Sequence, residues 1–218
     1  MTERTRRAFL TRTLWPATAA SATTVLGAWA LPACTKHRSG TASIQPGGAN
    51  SGDLAIVELA TSLENLAVAT YQSVMDAAAT GKFGPNPAAI TTYLAAAQRQ
   101  HREHAAGWNA GLNRIGQKPV TGLDATFKSV ELDAAMARAK TITDLAKFVL
   151  FLENVMAATY LDAIQAGLQS AAAVRIAATI HPVEMQHAAV LEFLIGNYPV
   201  PDSFANSSGA RPVSDQIA

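Results

Sequence analysis

Apolar residues recur at helical spacing in four long stretches of this chain, and the pattern breaks between them at Gly, Pro and Asn. Leu54, Val57, Ala60, Leu63, Glu64, Ala67, Val68 and Tyr71 share the spacing of a first helix, which Asp53 can cap and which ends by Gly81. Asn86-Pro87 starts a second, carrying Tyr93, Leu94, His101, His104 and Trp108 to about Ile115. The connection that follows, with Pro119 and Gly122, is too long for a simple hairpin, so it is expected to cross the bundle, with a short helix over residues 129–140. Thr143 and Asp144 open the third helix, through Phe148, Leu152, Glu153, Met156 and Tyr160 to about Gly167. The fourth runs from about Ser170 to Ile195, with Pro182 expected to kink it and Gly196 to end it. The pattern predicts an all-α domain over residues 53–196, a four-helix bundle with a long crossover between its second and third helices. Residues 197–218 form a Pro/Ser-rich tail without periodicity, expected to lie extended on the surface.

The helices repeat. Leu63-Glu64-Asn65-Leu66-Ala67-Val68-Ala69-Thr70-Tyr71 returns as Leu152-Glu153-Asn154-Val155-Met156-Ala157-Ala158-Thr159-Tyr160, and each copy is followed by a polar island in an alanine-rich run. The islands are Gln98, His101 and His104, then His181, Glu184 and His187, matched at a constant offset of 83 residues. Two helix pairs of one design therefore follow each other, each with one Glu and one doublet at i, i+3 spacing, the pattern of a bundle with a metal site in its core.

Composition adds two points. With 49% hydrophobic residues, 218 residues can bury a substantial core, and the abundance of alanine over aromatic residues favours closely packed helices. The net charge of +1 misleads, because residues 1–33 hold Arg4, Arg6, Arg7 and Arg12 against Glu3; the remaining 13 basic and 15 acidic residues give −2, and nothing suggests nucleic-acid binding.

Those first 33 residues read as an export signal. Arg6-Arg7 precede Phe9-Leu10 and a weakly apolar, Ala/Thr-rich run, as in a twin-arginine leader, and Pro16 with the Ser, Thr and Gly of the run argues against a permanent membrane helix. Leu31-Pro32-Ala33-Cys34 is similar to a bacterial lipobox, in which the sole cysteine, Cys34, would carry lipid; the alternative is simple cleavage near Ala30 or Ala33. Residues 34–52 are then a flexible tether.

At about 100° per residue, His181, Glu184 and His187 span one helix face, and so do Gln98, His101 and His104. Glu64 and Glu153 fall among apolar neighbours. A carboxylate buried alone costs several kcal/mol or becomes neutral, so two in matching positions call for a cation between them. Carboxylate with imidazole suits iron, manganese or zinc. Tyr71 and Tyr160 lie on the same faces as Glu64 and Glu153; a hydroxyl bonded to a neighbouring helix, or to a ligand, accounts for either. Asn65 and Asn154 can bond between helices, and Trp108 and Met156 are packing residues.

These residues carry a resemblance. The chain resembles the ferritin-like superfamily, in particular its exported bacterial ferritin-like domain proteins, over about residues 53–196. The resemblance implies a dinuclear iron or manganese site held by Glu64, His104, Glu153, Glu184 and His187. One position departs, because His101 stands where the family's second helix offers a bridging Glu, and Glu103 points away onto the solvated face. His101 is then a terminal ligand of a pair, or the site holds one metal, or none. His181 is either an outer-shell donor, like Tyr71 and Tyr160, or a plain helix-face histidine.

Two function classes follow. One is a di-metal oxidoreductase whose partners are metal ions, oxygen or peroxide, and the membrane through lipid on Cys34, with a homodimer left open. The other is a bundle with a degenerate site, a binding or scaffolding module at the cell surface. A closed storage shell fits poorly with a lipid anchor on every subunit.

Overall fold

The computed structural model describes residues 51–216, which hold four long helices and no strand. The expected leader over residues 1–33, Cys34 and nearly all of the tether lie outside the described residues. The long helices are α1 (Ser51–Ala79), α2 (Ala88–Arg114), α3 (Ile142–Asp162) and α4 (Ala171–Ile195). α1 lies along α2 and α3 along α4, and the two pairs close on each other through α1 with α3 and α2 with α4. Ala67, Ala97, Ala157, Ala173 and Ala177 are buried in these helices, so small side chains let the backbones approach while Leu66, Tyr71, Trp108, Leu152 and Met156 fill the space between. Among the described residues no helix is long and apolar enough to cross a membrane. The apolar α3 is a central helix, with Leu152 and Glu153 fully buried.

Several boundaries move, for local reasons. Asp53 is no cap of its own helix. It is buried in the first turn of α1, and its carboxylate accepts the N–H groups of Gln169 and Ser170 at 2.8 and 2.7 Å, tying α1 to the entry of α4. α3 starts one residue earlier than Thr143, at Ile142, because Thr141 caps it and forms a reciprocal capping box with Asp144. The crossover helix also starts earlier: Asp124 accepts the N–H of Phe127 at 2.9 Å, and helical turns run from Ala125 to Arg138 with a π-helical turn at Lys128–Leu132. α4 passes through Pro182 without interruption and ends at Gly196, whose φ of 92° a side chain would strain.

The tail does not merely lie on the surface. Arg211 donates to Asp124 through both its Nε and its Nη2, stacks over Phe127, and its backbone N–H reaches Thr159 Oγ1 at 2.9 Å. The tail is thereby fastened at Gly196 by α4 and at Arg211 by the crossover and α3.

Candidate metal centre

Helical spacing decides which side chains reach the middle of the bundle. Glu64 of α1, His101 and His104 of α2, Glu153 of α3, and Glu184 and His187 of α4 each project inward from a different height or helix. Glu64, His101, Glu153 and Glu184 are completely buried, His187 is 4% exposed, and the His104 side chain, at 12%, is the most accessible. Their ligand atoms form two groups of four. One is Glu64, His101, His104 and Glu184; the other is His101, Glu153, Glu184 and His187; within each, the atoms lie within 4.8 Å of one another. Two ligands of one ion, each about 2.1 Å from it, stand at most about 4 Å apart, so a modest inward adjustment of either group suffices.

His101 and Glu184 belong to both groups, and they differ in how well they are satisfied. His101 sits between the outer carboxylates, with Nδ1 2.8 Å from Glu64 Oε2 and Nε2 3.2 Å from Glu153 Oε1. Glu184 has His104 Nδ1 at 2.9 Å and His187 Nδ1 at 3.4 Å, yet neither of its oxygens, nor His104 Nδ1, takes part in a directed hydrogen bond. Lone pairs that converge without bonding each other suit a set of metal ligands, since hydrogen bonding normally satisfies a buried carboxylate.

The electrostatics follow the same division. Burial raises the carboxyls of Glu64 and Glu153, but His101, with His104 at the first and His187 at the second, outweighs it and holds both below the usual value. Glu184 ends above that value, since burial and the charge of Glu64 prevail over the nearby imidazoles. Burial lowers His104 and His187, while the carboxylates they touch push each up to about 9. His101 is raised as well, by Glu184 and Glu153 against its burial. The cation that the buried glutamates call for can thus be protonated imidazole as well as metal, which the sequence reading did not foresee.

The tyrosines cross between the halves. Tyr71 of α1 donates to Glu153 Oε1 of α3 at 2.7 Å, and Tyr160 of α3 donates to Glu64 Oε1 of α1 at 2.5 Å. Burial, aided by the glutamates' charge, raises both phenols well above their usual value, so they remain donors. Trp108, expected only to pack, donates its Nε1–H to the Tyr160 hydroxyl at 2.9 Å and stacks on that ring. Tyr160→Phe would leave both Glu64 Oε1 and the indole N–H short of a partner, and is expected to cost about 2–3 kcal/mol in the metal-free protein. Tyr71→Phe should cost less, because Glu153 Oε1 keeps His101; comparing the two melting temperatures checks this.

His181 does not join either group. It lies among residues beneath the C-terminal tail, with Nε2 buried and unpartnered. Asn65 bonds the crossover, donating to the carbonyls of Val120 and Gly122, whereas Asn154 faces the tail. Glu103 is exposed and paired with Arg99. Two residues were missed. Gln100 Oε1 lies 2.7 Å from His187 Nε2, which leaves Nδ1 of that ring to face the carboxylates. The Tyr93 hydroxyl lies 3.0 Å from that of Tyr71 and donates to the carbonyl of His187. Tyr93 precedes His104 by 11 residues, three helical turns, and that spacing was the available signal.

The model of a family described as ferritin-like domain matches residues 52–197. No curated protein and no solved structure matches the chain.

Proposed function

From the premise that this chain belongs to the ferritin-like domain family, we propose that it is an exported protein that holds two ions of iron or manganese in its bundle and serves in oxidation chemistry with oxygen or peroxide. One observation carries this reading: two four-residue groups share His101 and Glu184, and Glu184 is buried with neither oxygen hydrogen-bonded. Glu64 and His104 would hold one ion and Glu153 and His187 the other, with Glu184 within reach of both and His101, whose neutral ring has one free lone pair, able to ligate one of them. A pair of such ions, when bound, supplies the redox equivalents and the electron-poor centre that oxygen or peroxide chemistry needs. The chain's own residues do the rest. Tyr71 and Tyr160 steady the outer carboxylates, Gln100 fixes the ring of His187, and complete burial of the glutamates keeps water from the carboxylate oxygens.

One observation favours the rival reading of a degenerate, non-catalytic bundle. His101 occupies the place of a bridging carboxylate and bonds Glu64 and Glu153 itself, so three imidazoles can neutralise three glutamates without metal. Elemental analysis of protein purified from its native export route decides between them: two transition-metal ions per chain support the proposal, and protein that stays metal-free after incubation with Fe(II) or Mn(II) sinks it. His101→Glu should raise the rate of aerobic Fe(II) oxidation several-fold, by adding the anionic charge that favours higher oxidation states.

The address belongs to the same proposal and rests on Arg6-Arg7 and on Leu31 to Cys34. Replacing both arginines by lysine is expected to retain the protein inside the cell, and Cys34→Ala to release it from the membrane fraction. Normal export of the lysine pair, or membrane-bound Cys34→Ala, removes the corresponding half.

A further inference from the structure

A helix on the surface of a bundle normally turns charge outward, and α2 does so with Arg99, Arg102, Glu103 and Arg114, all exposed. α4 does not. From Ile176 to Leu191 its sole Asp, Glu, Lys or Arg is the buried Glu184, and its outward side presents Ala178, Thr179, Pro182, Gln186, Val190 and Phe193, the last two 40% and 54% exposed. Arg175 begins this face, exposed and without a hydrogen bond or ion pair among the described residues. The face is complementary to itself. Arg175 and Phe193 stand 18 residues apart, about five full turns, so they point the same way at its two ends, with Pro182 and Gln186 between them. A two-fold axis across the face at the level of residue 184 lays α4 antiparallel on a copy of itself and pairs positions equally far from that level. Arg175 then meets Phe193 of the other copy, Ala178 meets Ala189, Thr179 meets Val190 and Pro182 meets Gln186, each pair formed twice. The unpaired guanidinium gains an aromatic ring, small residues let the two helices approach, and no like charges are opposed.

We propose that the outward face of α4 binds a second copy of this chain, giving a two-fold symmetric dimer in which Arg175 of each protomer lies on Phe193 of its partner. A lipid surface fits the face less well. Asp53 ties the start of α1 to the entry of α4 at Gln169 and Ser170, so an anchor on Cys34 reaches the fold at the end of α4 about 35 Å from Phe193. None of the paired residues is a candidate metal ligand, so the dimer stands or falls independently of the metal centre.

Analytical ultracentrifugation of the full chain carrying Cys34→Ala, which keeps lipid out of the measurement, tests this. A face of this length stands at the lower end of stable interfaces, so the parent is expected to dimerise with a Kd on the order of 1–10 μM. Phe193→Lys sets a second cation against Arg175 and should raise that Kd about tenfold or more, whereas Phe193→Glu, equally polar but opposite in sign, should keep the dimer. Adding Arg175→Glu to Phe193→Lys reverses the pair and should bring the dimer back. Both positions are exposed, and helical circular dichroism verifies that each variant is folded. The proposal is overturned if the parent stays monomeric well above that concentration, if Phe193→Lys dimerises as well as the parent, or if the double variant does not recover. A monomeric parent that binds phosphatidylcholine vesicles, with binding lost in Phe193→Lys, would overturn it too and give the face to lipid.

Discussion

Glu184→Gln is expected to eliminate metal binding at both positions while leaving the melting temperature of the metal-free protein unchanged or higher; Glu153→Gln should lower it by about 10 °C. Both substitutions remove one buried carboxylate, but the two carboxylates stand in opposite balance. Glu153 accepts from Tyr71 and lies against His101 and His187, so its ionised form is favoured in the fold. Removing one partner of such a buried set costs about 3 kcal/mol, which in a domain of this size is about 10 °C. Glu184 has no directed hydrogen bond and its carboxyl is raised, so burying its charge opposes folding until a proton or a cation takes up its oxygens. It is also shared by both groups of candidate ligands, so its loss strikes both positions. Thermal melting with and without Mn(II), beside a Mn(II) titration, measures each part. A Glu184→Gln protein that melts as low as Glu153→Gln would make Glu184 an ordinary structural partner, and one that still takes two ions would remove it from the ligand set.

The second large effect is with pH. His104 and His187 are raised in the fold from 6.5 to about 9, so the stability they contribute to the metal-free protein is fully present below about pH 6.5 and is lost as pH rises through about 9. Glu64 and Glu153 are lowered from 4.5, so their contribution is present above about 4.5 and is lost as pH falls below it. The metal-free protein is therefore expected to be most stable between about pH 4.5 and 6.5 and to weaken towards 9. Metal binding runs the other way, because the imidazoles must shed their protons to bind an ion, and the ion's affinity rises with pH over the same range. The rise in melting temperature produced by a fixed excess of Mn(II) should accordingly widen from pH 6 to pH 8.5. A constant rise across that range would mean that His104 and His187 are not exchanging protons for metal.

Part of this was legible from spacing. The repeat of Leu-Glu-Asn with its i, i+3 doublets located the four helices and eight polar candidates, because a helix converts sequence spacing into a shared face, and the family resemblance set Gln98 and His181 apart from the six that meet in the core. Spacing within one helix says nothing about which residue it meets on another. Hence the position of His101 between Glu64 and Glu153, the bond from Trp108 to Tyr160, and the support of His187 by Gln100 were out of reach. His181 shows the limit on a single helix. It precedes Glu184 by one turn and so shares its side of α4, but the tail, whose sequence has no period, gives it a different environment. Asp53 and Arg211 were missed for a similar reason, since each serves a segment more than 80 residues away.

The crossed tyrosines bear on how such a sequence can change over time. Glu64 and Glu153 are each steadied by a hydroxyl carried on the other helix pair, Tyr71 with Glu153 and Tyr160 with Glu64. A drift at Tyr71 is therefore answered at Glu153 rather than at its own helix's Glu64, and among descendants of this chain the pairs that co-vary should be those across the duplication. Neither half can be exchanged for a copy from a diverged relative unless the opposite half comes with it.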